Sequence, residues 1–246
     1  MTSLWVILAL AFIHAAAGTT TALHLRWRTR VLSAAAGVSV AYVFLDQLPS
    51  LARGQQLIDA SGLLSGLESH VFILSLLGFT VAFWVETAAR RSREDRRSVG
   101  GADQTGDGPF RLAVASFLIY NAAIGYAVAH PTDEAIAPLW LFALAMGLHF
   151  AVNDHSLVEH HGARYQTWGR WLLVAGLLGG WILGVIPALV IPAEALALVL
   201  AYVAGGVIMN ILRHELPASD RTGDVLAFAA GAAVYGSLVL LLSPAA

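Results

Sequence analysis

Eight apolar stretches occupy most of the 246-residue chain, and each is about as long as a membrane-crossing helix. The core of a bilayer takes about 20 apolar residues per helix. The stretches lack the alternation of apolar and polar residues typical of strands, so they favour helices over a barrel. The sequence predicts an all-α, polytopic membrane protein in which residues 1–246 form a single transmembrane domain. The expected spans are Leu4–Leu25, Val31–Pro49, Leu67–Ala89, Phe110–Ala129, Ile136–Leu157, Trp168–Val190, Ala193–Leu212 and Gly223–Leu242.

The composition argues against the common soluble classes of protein. Only 12% of the residues are charged, against about 25% in an ordinary soluble domain. The absence of cysteine excludes disulfides, thiolate metal sites and thiol nucleophiles. A net charge of −2 provides no general attraction to nucleic acid. We therefore expect the lipid bilayer as a partner, no nucleic acid, no organic cofactor and no enzymatic activity.

The arginines predict the orientation in the membrane. All fourteen basic residues are arginine, and thirteen lie in or beside alternate connections, after the first, third, fifth and seventh helices. Arg53 is the exception. By the positive-inside rule these connections are cytosolic and both termini lie outside, which points to a bacterial inner membrane. The first span has no basic region before it, so we expect a retained helix rather than a signal peptide.

The connection at residues 90–109 reads RRSREDRRSVGGADQTGDGP. Its glycines, charges and polar residues cannot bury a core. We expect it to be a flexible cytosolic loop.

Two segments resemble each other at a constant offset of 168 residues. Helix two contains AAAGVSVAYVFLDQLP and helix seven contains YVAGGVIMNILRHELP. Gly37 corresponds to Gly205, and Leu48 and Pro49 correspond to Leu216 and Pro217. The predicted topology runs these helices in opposite directions. The match therefore predicts an inverted repeat, which is a common transporter architecture.

Ionisable and amide groups within the spans are the candidate functional residues, because they are costly in hydrocarbon. The end of helix five reads MGLHFAVNDHSLVEHH, in which His149 and Asn153 lie four residues apart on one face. Imidazole, amide and carboxylate groups can bind a divalent cation such as zinc. Asp154 lies about 100° round the helix from Asn153, and Asn121 of helix four is expected at a similar depth. We predict a metal site at His149, Asn153, Asp154 and Asn121; the alternative is a hydrogen-bonded cluster that packs the helices.

Further polar residues lie closer to the predicted membrane surfaces. A route for releasing the ion into the cytosol is predicted at His155, Glu159, His160 and His161. Near the outer surface, an entrance is predicted at Asp46, Glu68 and His70. His14 lies within helix one without an obvious partner in the sequence.

The order of these features resembles the ZIP family of divalent-metal transporters. The resemblance extends over nearly the whole chain and rests on the small-Ala-Gly to Leu-Pro pattern of helix two and on helix seven. It implies eight helices, outward termini, a variable cytosolic loop after helix three and an inverted three-helix repeat. It also implies transport of a divalent metal ion as substrate, with zinc ranked ahead of iron and manganese.

The sequence departs from the family in the metal-binding motifs. Where the family has His-Asn-x-x-Glu/Asp-Gly, helix four has Tyr120, Asn121, Ile124 and Gly125. In helix five the first His is present as His149, and the family's next ligand, its proline and a further ligand are replaced by Phe150, Val152 and Asn153. The surviving donors are neutral apart from Asp154, so at most one weakly held metal is expected.

Three functional hypotheses follow from these residues. The first is a ZIP-like permease that works by alternating access. The second is a protein of the same fold that no longer transports metal and acts in binding, sensing or interaction. The third is a haem protein that uses His14 and His149 as axial ligands. Small residues at Gly176, Gly179, Gly180 and Gly184 permit close packing, either within the chain or in a homodimer.

Overall fold

A computed structural model describes residues 2–17, 25–62, 69–130, 138–215 and 224–242. Within these ranges the chain is helical, has no strand and forms eight helices, which we number α1 to α8. Glu68, Leu216 and Pro217 lie outside the described residues. The helices are α1 (Thr2–Ala15), α2 (Leu25–Tyr42, a π-helical turn at Val43–Gln47, and Leu48–Ser61), α3 (His70–Ser98), α4 (Asp107–Ala129), α5 (Leu139–His161), α6 (a π-helical turn at Tyr165–Gly169, then Arg170–Val185), α7 (Ala193–Asn210, then a π-helical turn at Ile211–Glu215) and α8 (Val225–Leu242).

Seven of these helices, α2 to α8, are long and apolar enough to cross a membrane, and α1 is a shorter apolar helix. Many of their large apolar side chains face outward, as at Trp5 and Phe12 in α1 and Leu226 in α8. A soluble monomer rarely exposes apolar surface on this scale. For the described residues, the prediction of an all-helical chain with several helices long and apolar enough to span a membrane is confirmed.

The helices alternate in direction, which brings most of the described arginines to one end of the bundle. Arg30 at the start of α2 contacts Asp224 before α8, with 3.1 Å between Nε and Oδ2. Arg170 at the start of α6 donates to the carbonyl oxygen of Ala17 just after α1. We call this the arginine-rich end and the other the distal end.

Helix α2 does not end at Pro49 as predicted but continues for three more turns to Ser61. A proline within a helix lacks an N–H group and collides with the carbonyl four residues earlier. Here that carbonyl belongs to Leu45, inside the π-helical turn, where the wider backbone spacing accommodates the ring. The extension packs Leu51 and Ile58 against Val71 of α3 and the first half of α7.

The connection between α3 and α4 is shorter than predicted, because α3 remains helical through the arginines to Ser98. Arg93 donates to both carboxylate oxygens of Asp103. This hydrogen bond is the main reason that the pKa of Asp103 lies below its ordinary value. The buried Thr105 bonds His161 of α5 through its hydroxyl, 2.6 Å from Nδ1.

Three helix pairs pack with their backbones in close contact: α2 with α8, α3 with α7, and α4 with α6. Each pair meets at glycines on both helices: Gly37 and Gly231, Gly78 and Gly205, and Gly125 and Gly180. A Cβ atom at any of these six positions would overlap the partner's backbone. Gly176 and Gly184 also face α4, so the small-residue face of α6 is used within the chain, while Gly179 faces open space.

The remaining contacts divide the bundle into two groups of helices. Helix α1 packs on α5 and α6, and together with α4 these four form the first group. The second group contains α2, α3, α7 and α8, held by its two glycine pairs and by the packing of α2 on α7. The groups meet where α4 and α5 face α2, α3 and α7.

Candidate functional site: a buried polar network and two cavities

A buried hydrogen-bond network joins α1, α4, α5 and the π-helical turn that begins α6. The Nδ1 atom of His14 lies 2.9 Å from both carboxylate oxygens of Asp154, and its Nε2 atom lies 2.9 Å from Oδ1 of Asn121. The Tyr165 hydroxyl donates to Asp154, and the His14 ring packs on Phe150 with 4.4 Å between ring centroids. The four polar side chains are all buried.

The hydrogen bonds determine how the protons are arranged. The Asn121 amide donates to the carbonyl oxygen of Phe117, so its own oxygen faces His14. Nε2 of His14 must therefore carry a proton, and Nδ1 shares a second proton with Asp154. The His14–Asp154 pair is electrically neutral whichever partner holds that second proton. Its burial therefore avoids the large cost of an isolated charge.

Local structure brings the partners together. His14 lies in the last turn of α1, while the π-helical turn at the start of α6 contains the buried Tyr165. Such turns are frequent at functional sites. Gly162 separates α5 from this turn with a positive φ of 58°, which glycine adopts at little cost.

The four predicted metal ligands do not form one cluster: three lie on different faces of α5, and Asn121 lies on α4. Asp154 and Asn121 meet through His14 on the face toward α1. Asn153 lies on the neighbouring face, where it lines a cavity with Ser156 and His160. His149 is buried beside the Tyr120 ring, with 6.4 Å between centroids. A metal ion could reach Asp154 only by displacing His14 or Tyr165.

The first cavity, which we call the arginine-side cavity, lies between α3, α4, α5 and α7. Its volume of about 60 Å³ is room for about two water molecules. Apolar and polar residues contribute to its lining in similar numbers. Its polar residues are Glu86, Ser116, Tyr120, Asn153, Ser156, His160, His161, Tyr202 and Asn210.

This cavity adjoins an open mouth of about 530 Å³ at the arginine-rich end. The two share Glu86 and His160, whose Oε1 and Nε2 atoms lie 3.4 Å apart. Arg213 lies 3.6 Å from the same Glu86 carboxylate. The charges of the mouth nearly balance, because four arginines face three glutamates. Its lining residues are Glu86, Arg90, Arg93, Glu94, Arg97, Glu159, His160 and Arg213.

The second cavity, which we call the distal cavity, lies toward the distal end and is much larger, at about 350 Å³. It lies between α2 and α7 on one side and the ends of α4 and α5 on the other. Most of its wall is apolar, and its charged groups are Asp46 and Arg53 of α2.

The two cavities approach each other around a short constriction. Val203 lines both of them, Tyr120 lines the arginine-side cavity, and Met146 lines the distal cavity. The Tyr120 hydroxyl lies 4.0 Å from the Met146 sulfur. A few side chains therefore separate the two cavities, both of which lie between the two groups of helices.

The residues of the predicted release path lie at the arginine-rich end but do not form one cluster. Glu159 pairs with Arg93 at 3.0 Å. His160 faces Glu86, His161 bonds Thr105, and His155 is half-buried. His160 and His161 line the arginine-side cavity, whereas Glu159 lines the mouth. At the distal end, Asp46 lines the second cavity and His70 is buried at the start of α3.

The described residues contain no group of three or more His, Asp or Glu side chains placed to hold a metal ion. Both ring nitrogens of His14 are already hydrogen-bonded. Neither is left for haem iron, which argues against His14 and His149 as axial ligands.

Sequence reasoning did not find the partners of His14 or the role of Tyr165. Asp154 lies 140 positions from His14, and no local spacing connects them. The one indication in the sequence was His14 itself. A histidine in an apolar span with no polar neighbour on its own helix implies a partner on another helix.

The architecture is that of a helical bundle in which several helices are long and apolar enough to span a membrane, with two cavities between two groups of helices. The chain matches no protein-family model and none of the curated proteins with which it was compared.

Proposed function

We propose that the chain is a ZIP-like permease that carries a divalent metal cation across a bacterial inner membrane by alternating access. The observation that carries the proposal is the pair of cavities, which extend from opposite ends into the interface between two groups of helices. Only the constriction at Tyr120, Met146 and Val203 separates them. A relative movement of the groups would open one cavity while closing the other.

Two spacings in the structure agree with the predicted inverted repeat and support this proposal. The π-helical turns at Val43–Gln47 and Ile211–Glu215 are separated by the same 168 residues that relate the two sequence segments. Equivalent residues also make equivalent contacts. Ala34 of α2 meets Gly231 of α8, and Tyr202 of α7, 168 residues after Ala34, meets Gly78 of α3.

The groups that would contact the cation are those exposed in the arginine-side cavity. Glu86 provides a carboxylate, His160 an imidazole, and Asn153 an amide oxygen. These donors suit zinc or a similar ion. With one carboxylate among them, we expect weak binding, which a transported ion requires in order to leave. The positive-inside rule supports a cytosolic location for the arginine-rich end.

The test is uptake of zinc, cadmium, iron(II) and manganese into liposomes that contain the purified protein. We expect saturable uptake, reduced at least about ten-fold by Glu86→Gln through loss of the carboxylate. The matched control is Asp95→Asn, which changes an exposed carboxylate of the same helix outside the cavity. No uptake above empty liposomes by a folded protein would contradict the proposal, as would equal loss in the control variant.

A second function is favoured by one specific observation. Two of the four predicted ligands, Asn121 and Asp154, are already engaged by His14. This arrangement suits a protein that keeps the fold for binding or sensing without transporting metal. Zinc binding to the folded protein without uptake would favour this second function.

A further inference from the structure

The distal cavity has the size of a small-molecule site rather than an ion site. Its volume of about 350 Å³ would hold about ten water molecules, and it falls within the range of about 300–1,000 Å³ typical of ligand pockets. A dehydrated metal ion needs a small part of this space. The cavity therefore has room for an organic molecule, whether or not the chain transports metal.

The walls of the cavity divide into a large apolar part and a small polar edge. Helices α4, α5 and α7 contribute only apolar side chains, including Ile124, Met146 and Leu200. The polar edge belongs to α2, at and just after its π-helical turn, and comprises Tyr42, Asp46, Gln47, Ser50 and Arg53. A molecule that matches both parts has an apolar body and one polar end.

The polar edge offers hydrogen-bond acceptors. Gln47 is only 7% exposed, and its Oε1 atom has no hydrogen-bond partner among the described residues. A buried acceptor without a donor is uncommon in folded proteins. Gln47 follows Asp46 directly in the chain, and although the two side chains leave the helix about 100° apart, both line the cavity.

Asp46 supplies a negative charge at the same edge. Its carboxylate accepts a 3.3 Å hydrogen bond from the Ser50 hydroxyl. Arg53 donates to that hydroxyl at 2.8 Å rather than to the carboxylate. Within the described part of the chain, no salt bridge to Asp46 is formed.

We propose that the distal cavity binds an amphipathic primary amine, with the ammonium group on Asp46 and Gln47 and the apolar body against α4, α5 and α7. An ammonium has three donors and one positive charge, which matches one carboxylate and one unpartnered amide oxygen. A carboxylic acid would be repelled by Asp46 and would have to pair with Arg53, which already donates to the Ser50 hydroxyl. An alcohol has a single donor and leaves one of the two acceptors unmatched. A metal ion would find donors on one wall only.

Two sources supply this chemistry: a free alkylamine, and the ethanolamine headgroup of a membrane lipid with its acyl chain. Binding is measured on the full chain in nanodiscs of phosphatidylcholine, whose headgroup has no N–H donor. The probes are octylamine, octanol and octanoate, which share an apolar chain and differ at the polar end. The readout is the thermal unfolding midpoint, which a ligand of the folded state raises in a saturable way.

We expect octylamine to raise the midpoint and the other two probes to have little effect. Gln47→Leu and Asp46→Asn should each raise the half-saturating concentration of octylamine at least about ten-fold. Gln56→Leu and Asp59→Asn change exposed residues of the same helix outside the cavity and should bind as the parent does.

An octanol shift as large as the octylamine shift would overturn the proposal, and so would unchanged binding in both cavity variants. Gln47→Leu removes an unsatisfied polar atom, so this variant should fold at least as well as the parent. Nanodiscs with phosphatidylethanolamine distinguish the sources: weaker apparent octylamine binding there identifies the lipid, and unchanged binding identifies a free amine. The readout requires no transport, so its result is independent of the uptake assay.

Discussion

Replacing Gly205 by alanine tests whether the close approach of α3 and α7 is required for stability. A Cβ atom at this position would lie 2.6 Å from the backbone nitrogen of Phe79 and closer still to the carbonyl oxygen of Ser75. Ordinary van der Waals contact begins near 3.4 Å, so the helices would have to separate by at least about 0.8 Å, enough to lose a quarter to a half of each contact's attraction. Overpacking of this kind costs about 1–3 kcal/mol.

The neighbouring Gly206 is the matched control. Its Cβ would meet Ala82 and Tyr120 at 3.9–4.0 Å, which is ordinary contact. Both substitutions should gain about 1 kcal/mol from helix propensity, so Gly205→Ala should be less stable than this control by the overpacking cost alone, about 1–3 kcal/mol. Unfolding by SDS in mixed micelles, followed by far-UV circular dichroism, measures the difference. Stabilities of the two variants within about 0.5 kcal/mol of each other would refute the reasoning.

The remaining predictions concern buried charges, the candidate path and pH. His14→Ala leaves the buried Asp154 without its imidazole partner and should lower the free energy of unfolding by about 3–5 kcal/mol in the same assay. Replacing both residues, His14→Leu with Asp154→Leu, should recover much of this stability. An equal loss of stability in the double variant would contradict a paired network. His149 packs beside the Tyr120 ring at the constriction, so His149→Ala should lower metal uptake in liposomes while the protein stays folded. Uptake equal to that of the parent would remove His149 from the path. The backbone N–H of Ala227, together with Arg30, lowers the pKa of Asp224, so this carboxylate stabilises the fold above its ordinary pKa and the contribution is lost as pH falls through the lowered value. Thermal unfolding between about pH 2 and pH 6 should show this loss in the parent and a flatter profile in Asp224→Asn; identical profiles would disprove the linkage.

Most of the fold could be predicted because apolar runs of about 20 residues are a local signal. The helix ends were less predictable. Pro49 appeared to end α2, but the adjoining π-helical turn accommodates it. The arginines before Ser98 appeared to begin a loop, but contacts with the following connection accompany a longer α3. The first difference depends on a π-helical turn and the second on contacts with the following connection. The helix propensities of single residues predict neither.

The candidate site was predictable on each helix separately but not between helices. The 100° spacing of Asn153 and Asp154 correctly implied that they point in different directions, and the structure assigns them to a cavity and to a sealed network. Which of the two joins His14 depends on how α1 packs against α5. That packing involves residues more than a hundred positions apart, and a single sequence contains no signal for it.

The π-helical turn of α2 has a consequence for how the chain tolerates deletions. A π-helical turn holds one residue more than the α-helical turn it replaces. Deleting one residue there would let the helix become regular while Leu48–Ser61 keep nearly the same rotation about the helix axis. Leu51 and Ile58 would keep their contacts with α3 and α7, and Gln55 would still reach the backbone N–H of Val71. The same deletion in the regular helix after Pro49 would rotate the residues beyond it by about 100°, so single-residue deletions should be less damaging at Val43–Gln47 than there.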